Sequence, residues 1–236
     1  MTKFISRAVF HFLYKMGNTG LVAKFLKNGF YNCEDVEIIE LLLRLHLDTL
    51  DYRFEAQVLL DHYGSLSKVI DAAADTPFDG SPIRNDYRLG LRLPHEIANR
   101  YLFDRLKQKP LVGSPESVVD YLTHSMKGLK REHFKVLYLD GMNRLIADED
   151  VSTGTVGQAM VYPREVMKSA LRHSAAGLIL AHNHVSGNPK PSQDDIRITE
   201  KLSNAASLFD IVVHDHILIG GNSYFSFADK GLIQKA

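Results

Sequence analysis

The sequence predicts an α+β protein of 236 residues, in which a helical domain precedes a mixed α/β domain. Three observations support this prediction. Apolar residues recur at helical spacing over residues 34–109. Pro110 and the Gly113-Ser114-Pro115 sequence then interrupt the pattern. In residues 114–236, short apolar runs typical of strands alternate with helical patterns, which favours a mixed sheet flanked by helices.

The N-terminal segment, residues 1–33, is basic and contains no acidic residue before Glu34. We expect a basic helical segment of the mature protein, with an organelle transit segment as the alternative. No apolar run approaches the roughly 18–20 residues of a membrane helix. Cys33 is the only cysteine, which excludes internal disulfides, and we expect a packed thiol there. These features predict a cytoplasmic protein with no membrane partner.

Within the helical domain, four helices are expected over residues 35–45, 54–63, 65–70 and 94–107. Gly64 is placed to end the second helix, and Ser65 can cap the third. Residues 75–90 contain two prolines and two glycines, so we expect a loop there.

The second domain is expected to begin with a helix capped by Ser114 and to continue through alternating strands and helices. The helices are predicted over residues 115–126, 163–173 and 193–208. The strands are predicted over residues 133–139, 145–151, a run ending at Val161, residues 176–181, 211–219 and a last strand after the Gly220-Gly-Asn222 turn.

The strongest functional feature is the run from His182 to Asp195. His182 and His184 are spaced i and i+2 at the end of a predicted strand, so both imidazoles face the same side. A helix beginning after Ser192 brings Asp195 to the same end. Two imidazoles and one carboxylate leave a fourth tetrahedral position open, as in catalytic zinc sites, where a bound water has a pKa of about 7. Alternatively, Ser192 and Asp195 form only a helix-capping pair, and the histidines hydrogen-bond locally.

This spacing, His-x-His, seven residues, Ser, two residues and Asp, resembles the pattern of JAMM (MPN/JAB) metalloproteases. The chain resembles the RadC family more closely still, in HNHVSGNPKPSQDDIRIT, REHFKVLYLD, VSTGTV, VYPREVMKSAL and VVHDHILIGGNSYFSF. The resemblance covers about residues 114–234 and, more weakly, residues 30–109. Val185 stands where the family usually has proline, which affects the rigidity of the loop and no ligand.

The resemblance implies a cytidine-deaminase-like JAMM/MPN domain that binds Zn²⁺ through His182, His184 and Asp195. It implies hydrolysis of a peptide or isopeptide bond, with Ser192 hydrogen-bonded near the reacting oxygen. Asp194, one residue earlier on the helix, points about 100° away from Asp195 and is not expected to bind the metal.

The JAMM mechanism also needs a carboxylate as general base, upstream of the metal ligands. Glu132 lies just before the strand predicted over residues 133–139, and the resemblance favours it, although it could be a solvated residue beside Lys130 and Arg131. Glu165, in the first turn of a predicted helix, is the second candidate. It also has a simple explanation, because acids stabilise helix N-termini.

A second histidine pair, His214 and His216, flanks Asp215 in a predicted strand, so the two rings are expected to share a face. No Ser-x-x-Asp sequence follows them. We therefore expect structural roles, with His216 orienting the ligands of the first pair.

The alternative function is that of a DNA repair-associated protein, which binds or processes DNA through the metal site or the helical domain. RadC proteins are traditionally associated with DNA repair, and Tyr63–Ile70 looks like the lead-in to their helix–hairpin–helix module. The Gly-rich hairpin itself is reduced here to Arg88-Leu-Gly90-Leu-Arg-Leu. Residues 84–109 hold seven basic and three acidic residues, whereas the whole chain has 28 of each.

Overall fold

The computed structural model describes residues 20–45, 51–74, 83–111, 115–153 and 161–233. Most of the predicted N-terminal segment, residues 75–82 of the expected loop and nearly all of the strand expected before Val161 lie outside these ranges. The chain divides into two compact units, residues 1–97 and 98–236. None of the described helices is long and apolar enough to span a membrane.

The first unit is built from helices, as the sequence predicts. These are α1 (Gly20–Asn28), α2 (Asp35–Arg44), α3 (Tyr52–Tyr63), α4 (Leu66–Ala74) and the first part of α5 (Asn85–Leu106). Local signals set their ends. Glu34 and Glu37 form a capping box at the start of α2. Gly64, in the left-handed conformation with φ 85°, ends α3.

Residues 85–90 are helical, so the loop predicted over residues 75–90 is wrong in that part. Helix α5 begins nine residues before Pro94, and Gly90 lies within it rather than in a hairpin. Tyr87 and Leu91, spaced i and i+4, are buried in the core of the first unit. This burial favours the helix despite the glycine and the proline, which weaken helices intrinsically.

The second unit contains a mixed five-stranded sheet, as predicted. Its strands are β1 (His133–Leu139), β2 (Leu145–Thr153), β3 (Gly177–Asn183), β4 (Val212–Gly220) and β5 (Ser223–Ser226). Their order is β2-β1-β3-β4-β5. Strands β3 and β4 are parallel, and the other neighbours are antiparallel. The helices are the end of α5, α6 (Pro115–Met126), α7 (Pro163–Arg172) and α8 (Gln193–Ser207).

Helices cover both faces of this sheet. Phe134, Val136 and Tyr138 point from β1 to the face covered by α7 and α8. Leu137 and Leu139 point to the opposite face, covered by α6 and the end of α5. Because both faces are covered, every residue of β3 is buried, which explains its almost continuous apolar sequence.

The two units divide inside α5, between Ile97 and Ala98. Beyond that point, Leu102, Phe103 and Leu106 pack with α6 in the second unit. The sequence predicts the boundary further on, at the Pro110 and Gly113-Ser114-Pro115 break. The domain limits 34–109 and 114–236 stay a prediction.

Candidate metal centre

The candidate metal centre lies where β3 ends beside the first turn of α8. His182 lies at the end of β3 and His184 directly follows the strand, where its backbone N–H donates to the carbonyl of Ile219 in β4 at 2.8 Å. Ser192 caps α8, because its hydroxyl accepts the N–H of Asp195 while its own N–H donates to the Asp195 carboxylate. This capping box fixes Asp195 beside the two histidines.

Three ligand atoms converge at this point. The Nε2 atoms of His182 and His184 lie 2.8 Å apart, and the Asp195 carboxylate oxygens lie 3.1 Å and 3.4 Å from them. Within the described ranges, this is the one group of three histidine, cysteine or acidic residues arranged to hold a metal ion. Two atoms each about 2.0–2.1 Å from a tetrahedral zinc ion would lie about 3.3 Å apart, so the two carboxylate–imidazole distances suit zinc, and the shorter distance between the imidazoles would widen around the ion.

A chain of hydrogen bonds behind His182 fixes which ring nitrogen carries its proton. The single hydrogen of the Thr199 hydroxyl goes to the carbonyl of Asp195 at 2.5 Å, so the hydroxyl accepts from Nδ1 of His216 at 2.6 Å. Burial lowers the pKa of His216 well below that of an ordinary histidine, so its ring is neutral. Nε2 of His216 therefore accepts from Nδ1 of His182 at 3.0 Å.

The ring of His184 is oriented by a backbone carbonyl. Its Nδ1 lies 2.7 Å from the oxygen of Asn188, which can only accept, so Nδ1 carries a proton. With Nδ1 of both rings engaged by these outer partners, Nε2 of His182 and Nε2 of His184 are the atoms that face the Asp195 carboxylate and are left to bind a cation. Such a set of donors requires a cation between them, either a proton or a metal ion, and the residues therefore fit a metal.

The carboxylate of Asp195 and the imidazole of His184 both have shifted pKa values. Burial raises the pKa of Asp195, but hydrogen bonds from His182 and His184 outweigh burial and hold that pKa well below its usual range. A hydrogen bond with Asp195 raises the pKa of His184, and the charge of Glu132 adds a smaller contribution in the same direction. The site therefore strongly favours one carboxylate and one positive charge beside it.

The loop that carries Asn188 rests directly on Gly220 at the end of β4. A Cβ atom at Gly220 would lie 2.5 Å from the nitrogen of Pro189 and 2.8 Å from the carbonyl carbon of Asn188. These atoms are backbone, so only a glycine permits this approach. The sequence alone did not indicate the roles of Gly220 and Thr199, because these arise from the pairing of β3 with β4 and from the packing of α8 on the sheet.

Ser192 and Asp194 differ from each other in their relation to Asp195. The hydroxyl of Ser192 donates to Oδ2 of Asp195 at 2.7 Å, so it holds the proposed ligand. Asp194 is exposed and pairs with Arg197 at 2.9 Å. Asp194 thus points away from the centre, in the direction expected from helix geometry.

The two candidate bases also differ in their surroundings. Glu132 directly precedes β1, is partly buried and lies close enough to His184 to raise its pKa. Glu165 is exposed in the first turn of α7, with its carboxylate 3.3 Å from Arg164. Of the two, Glu132 is the one whose charge is seen to act on a proposed ligand.

The prediction that His214 and His216 share a face is wrong. Strand β4 has a bulge here, since Leu178 of β3 pairs with Val213 while the next residue, Ile179, pairs with Asp215. His216 is fully buried against His182, whereas the ring of His214 packs over Gly177, so closely that a Cβ atom on this glycine would lie 2.6 Å from it.

The one cysteine of the sequence belongs to the first unit. Its thiol, at Cys33, is partly buried and lies 3.7 Å from the carbonyl of Gly29.

Comparison with known proteins agrees with the geometry of the site. The family model of the RadC-like JAB domain matches residues 112–232. A UPF0758 protein of Pseudoalteromonas translucida (strain TAC 125) is 41% identical over 210 residues, which cover 89% of this chain and 94% of that protein. UPF0758 proteins of Rhodobacter capsulatus and Vibrio vulnificus (strain YJ016) are 38% and 39% identical over 210 residues, covering 98% and 94% of their lengths and 89% of this chain.

The matched region contains the sheet, both histidines at the end of β3 and the first turn of α8. JAB domains are typically metal-dependent, which agrees with the three converging ligand atoms. The chain therefore belongs to the RadC family, and its second unit carries a JAB/MPN domain of the JAMM metallohydrolase kind.

Proposed function

We propose that this protein is a zinc-dependent metallohydrolase that cleaves a peptide or isopeptide bond. One observation carries the proposal. His182 and His184 are each held at Nδ1 by an outer partner, so that both Nε2 atoms face the Asp195 carboxylate and are available to a metal ion. A site meant only to cap α8 would not need two imidazole Nε2 atoms facing each other at 2.8 Å.

His182, His184 and Asp195 would hold the zinc ion and leave its fourth position open. A zinc ion bound in this way lowers the pKa of its water to about 7 and polarises a substrate carbonyl. The protein contributes the orientation of all three ligands, through His216, Asn188 and Ser192 respectively.

We assign the role of general base to Glu132. Its carboxylate would take a proton from the attacking water and pass it to the leaving nitrogen, so that the amide is cleaved to an acid and an amine. Ser192 stands beside Asp195, and on substrate binding its hydroxyl would turn to donate a hydrogen bond to the reacting carbonyl oxygen.

The DNA hypothesis has less support from the residues that motivated it. Arg84, Arg92 and Arg100 form ion pairs with Asp86, Glu96 and Asp104, at 2.7 to 3.1 Å. Three of the seven basic side chains of residues 84–109 are thus engaged within the segment itself. The segment Arg88-Leu-Gly90-Leu-Arg-Leu is helical, so it offers no hairpin amides to a phosphate. DNA binding stays a prediction.

The proposed function can be tested with zinc-reconstituted protein and two substrate sets, fluorogenic peptides and peptides joined through a lysine ε-amide. We expect about one equivalent of zinc in the wild type and little in a His184→Ala variant. A Glu132→Gln variant should keep its zinc and lose about 10²–10⁴-fold in rate. Glu165→Gln is the matched control and should resemble the wild type.

Two results would contradict the proposal. One is less than about 0.1 equivalent of zinc in wild-type protein after reconstitution at neutral pH, which would show that these residues form no zinc site. The other is full hydrolytic activity in the Glu132→Gln variant. This result would show that Glu132 is not the general base, and it would leave the assignment of the metal ligands unaffected.

A further inference from the structure

We infer that Asn183 is a positioning residue for Glu132, because its side chain bridges the backbone groups on both sides of that glutamate. Oδ1 of Asn183 accepts the N–H of His133 at 2.8 Å, and Nδ2 donates to the carbonyl of Arg131 at 2.9 Å. The inference rests on the proposed function, in which Glu132 is the base.

These two hydrogen bonds continue the sheet where its backbone ladder stops. The pairing of β1 with β3 ends at Phe134 opposite His182. Beyond that pair, the Asn183 side chain takes over the contact with residues 131–133. Asn183 is only 4% exposed, so water does not readily replace it as the partner of these backbone groups.

The position of the Glu132 carboxylate depends on this bridge. Among the described residues, its carboxylate has no hydrogen-bond partner. It interacts with His184 through its charge, which contributes to raising the His184 pKa. Its location is therefore set by its own backbone, which Asn183 holds at the preceding carbonyl and the following N–H. If this bridge were lost, Glu132 would keep its chemistry and lose its fixed distance from the site.

An amide side chain of this length is suited to the task. The bridge needs one donor and one acceptor on the same planar group, which asparagine provides. Aspartate would keep the acceptor for His133 and lose the donor for Arg131. Alanine would lose both.

Asn183 can be separated from metal binding because of strand alternation. It lies between His182 and His184 in the sequence, yet its side chain points to the opposite face of β3. The bridge therefore touches no proposed metal ligand. A change at Asn183 should move the base and leave the metal affinity nearly unchanged.

The test uses the full chain loaded with Co²⁺, whose absorption spectrum reports the charge next to the ion. The variants are Asn183→Ala, Asn183→Asp, Glu132→Gln and the double variant of Asn183→Ala with Glu132→Gln. The control is Tyr121→Phe, which removes a partly buried hydrogen bond to Asp148, 2.6 Å long, from the same side of the sheet. Co²⁺ affinity and the pH midpoint of the spectrum are measured for each.

We expect every Asn183 variant to bind Co²⁺ within about threefold of the wild type, since no ligand orientation changes. The pH midpoint should shift in Asn183→Ala in the same direction as in Glu132→Gln, and less in Asn183→Asp. The double variant should show no shift beyond that of Glu132→Gln alone, because both changes act through one carboxylate. Tyr121→Phe should keep the wild-type midpoint. With a cleavable substrate, kcat should fall in Asn183→Ala while KM stays unchanged.

The inference is overturned if the shifts of the two single variants add in the double variant, or if both Asn183 variants keep the wild-type midpoint. A loss of Co²⁺ binding in Asn183→Asp, the variant closest in shape to the wild type, would also overturn it by making Asn183 a support of the ligands. If Glu132→Gln itself has the wild-type midpoint and full activity, the base assignment fails and this inference fails with it. A failure confined to the Asn183 variants leaves the proposed function standing.

Discussion

Thr199 shows how a residue with no access to the substrate can determine the chemistry of the centre. It is buried, and its hydroxyl links the ring of His216 to the backbone carbonyl of Asp195. One proposed ligand is thereby tied to the tautomer of another. His216 is enclosed by the rings of Phe134, His182 and Phe227, at centroid distances of 5.0 to 5.4 Å.

We expect a Thr199→Val substitution to weaken zinc binding about 10–100-fold, the usual effect of losing an outer partner of a ligand histidine. Valine has nearly the same shape, so the packing is kept while His216 loses the acceptor that fixes its proton at Nδ1. Chelator competition at constant pH measures the affinity. Ser207→Ala, which removes an exposed hydroxyl from the same helix, is the control. Wild-type affinity in Thr199→Val would show that the tautomer chain is dispensable.

Gly220 is the second residue that supports the ligands from outside the site, because it leaves room for the loop that carries Asn188. A methyl group there would meet the backbone of Asn188 and Pro189 at 2.5 to 2.8 Å, and so displace the carbonyl that orients His184. Gly220→Ala should therefore lower zinc affinity about tenfold or more. Gly141→Ala is a suitable control, because nothing lies within 4 Å of its Cβ position. Equal zinc affinity in the two variants would mean that the loop shifts without moving His184.

At the scale of elements, a charged cluster joins the edge strand β2 to helix α7. The carboxylate of Glu149 accepts hydrogen bonds from Ser169 and from Arg172, the latter at 2.7 Å, and lies 2.8 Å from Nε2 of His173. Burial raises the Glu149 pKa, but Ser169 and His173 outweigh it, so the pKa lies below that of an ordinary glutamate. The cluster is thus a charge-dependent link between two elements distant in sequence.

The sign of this pKa shift predicts how stability depends on pH. A carboxyl whose pKa is lowered by folding stabilises the protein fully above its unfolded pKa, and that contribution is lost as the pH falls through the folded value. Glu149→Gln should therefore lower the free energy of unfolding by about 1 kcal/mol at pH 7, with the difference from wild type shrinking below about pH 4. Urea unfolding at several pH values measures this. Glu200→Gln, on the surface of α8, is the control, and a pH-independent difference for Glu149→Gln would contradict the charge-dependent link.

Local signals explain which elements were predictable. Gly64 and the Glu34–Glu37 capping box act within a few residues, so the ends of α2 and α3 could be predicted from the sequence. The continuation of α5 through Gly90 and Pro94 could not, because it depends on burial of Tyr87 and Leu91 in a core built by other helices. The bulge at His214 is equally non-local, since it exists only relative to β3.

At the scale of the molecule, the same distinction applies to the site. The three proposed ligands lie within fourteen consecutive residues, so their spacing alone suggested a metal centre. Two of their supports, Asn188 and Ser192, lie in the same run, but the others come from outside it. Thr199, His216 and Gly220 reach the site only through the pairing of β3 with β4 and the packing of α8 on that sheet. Those supports depend on the register of strands, which no local pattern in the sequence contains.

Metal binding should therefore stabilise one part of the chain selectively. All three proposed ligands and their supports lie in residues 98–236, so zinc at about 100 times its dissociation constant should add about 2.7 kcal/mol to the stability of that unit. In hydrogen exchange, we expect slower exchange in β3, β4 and the first turns of α8 upon adding zinc, and unchanged exchange in residues 20–74. The effect should vanish in His184→Ala, which removes a ligand and leaves the first unit untouched. If zinc slowed exchange equally in both units, the stabilisation would belong to the whole chain, and the metal could not be acting through the second unit alone.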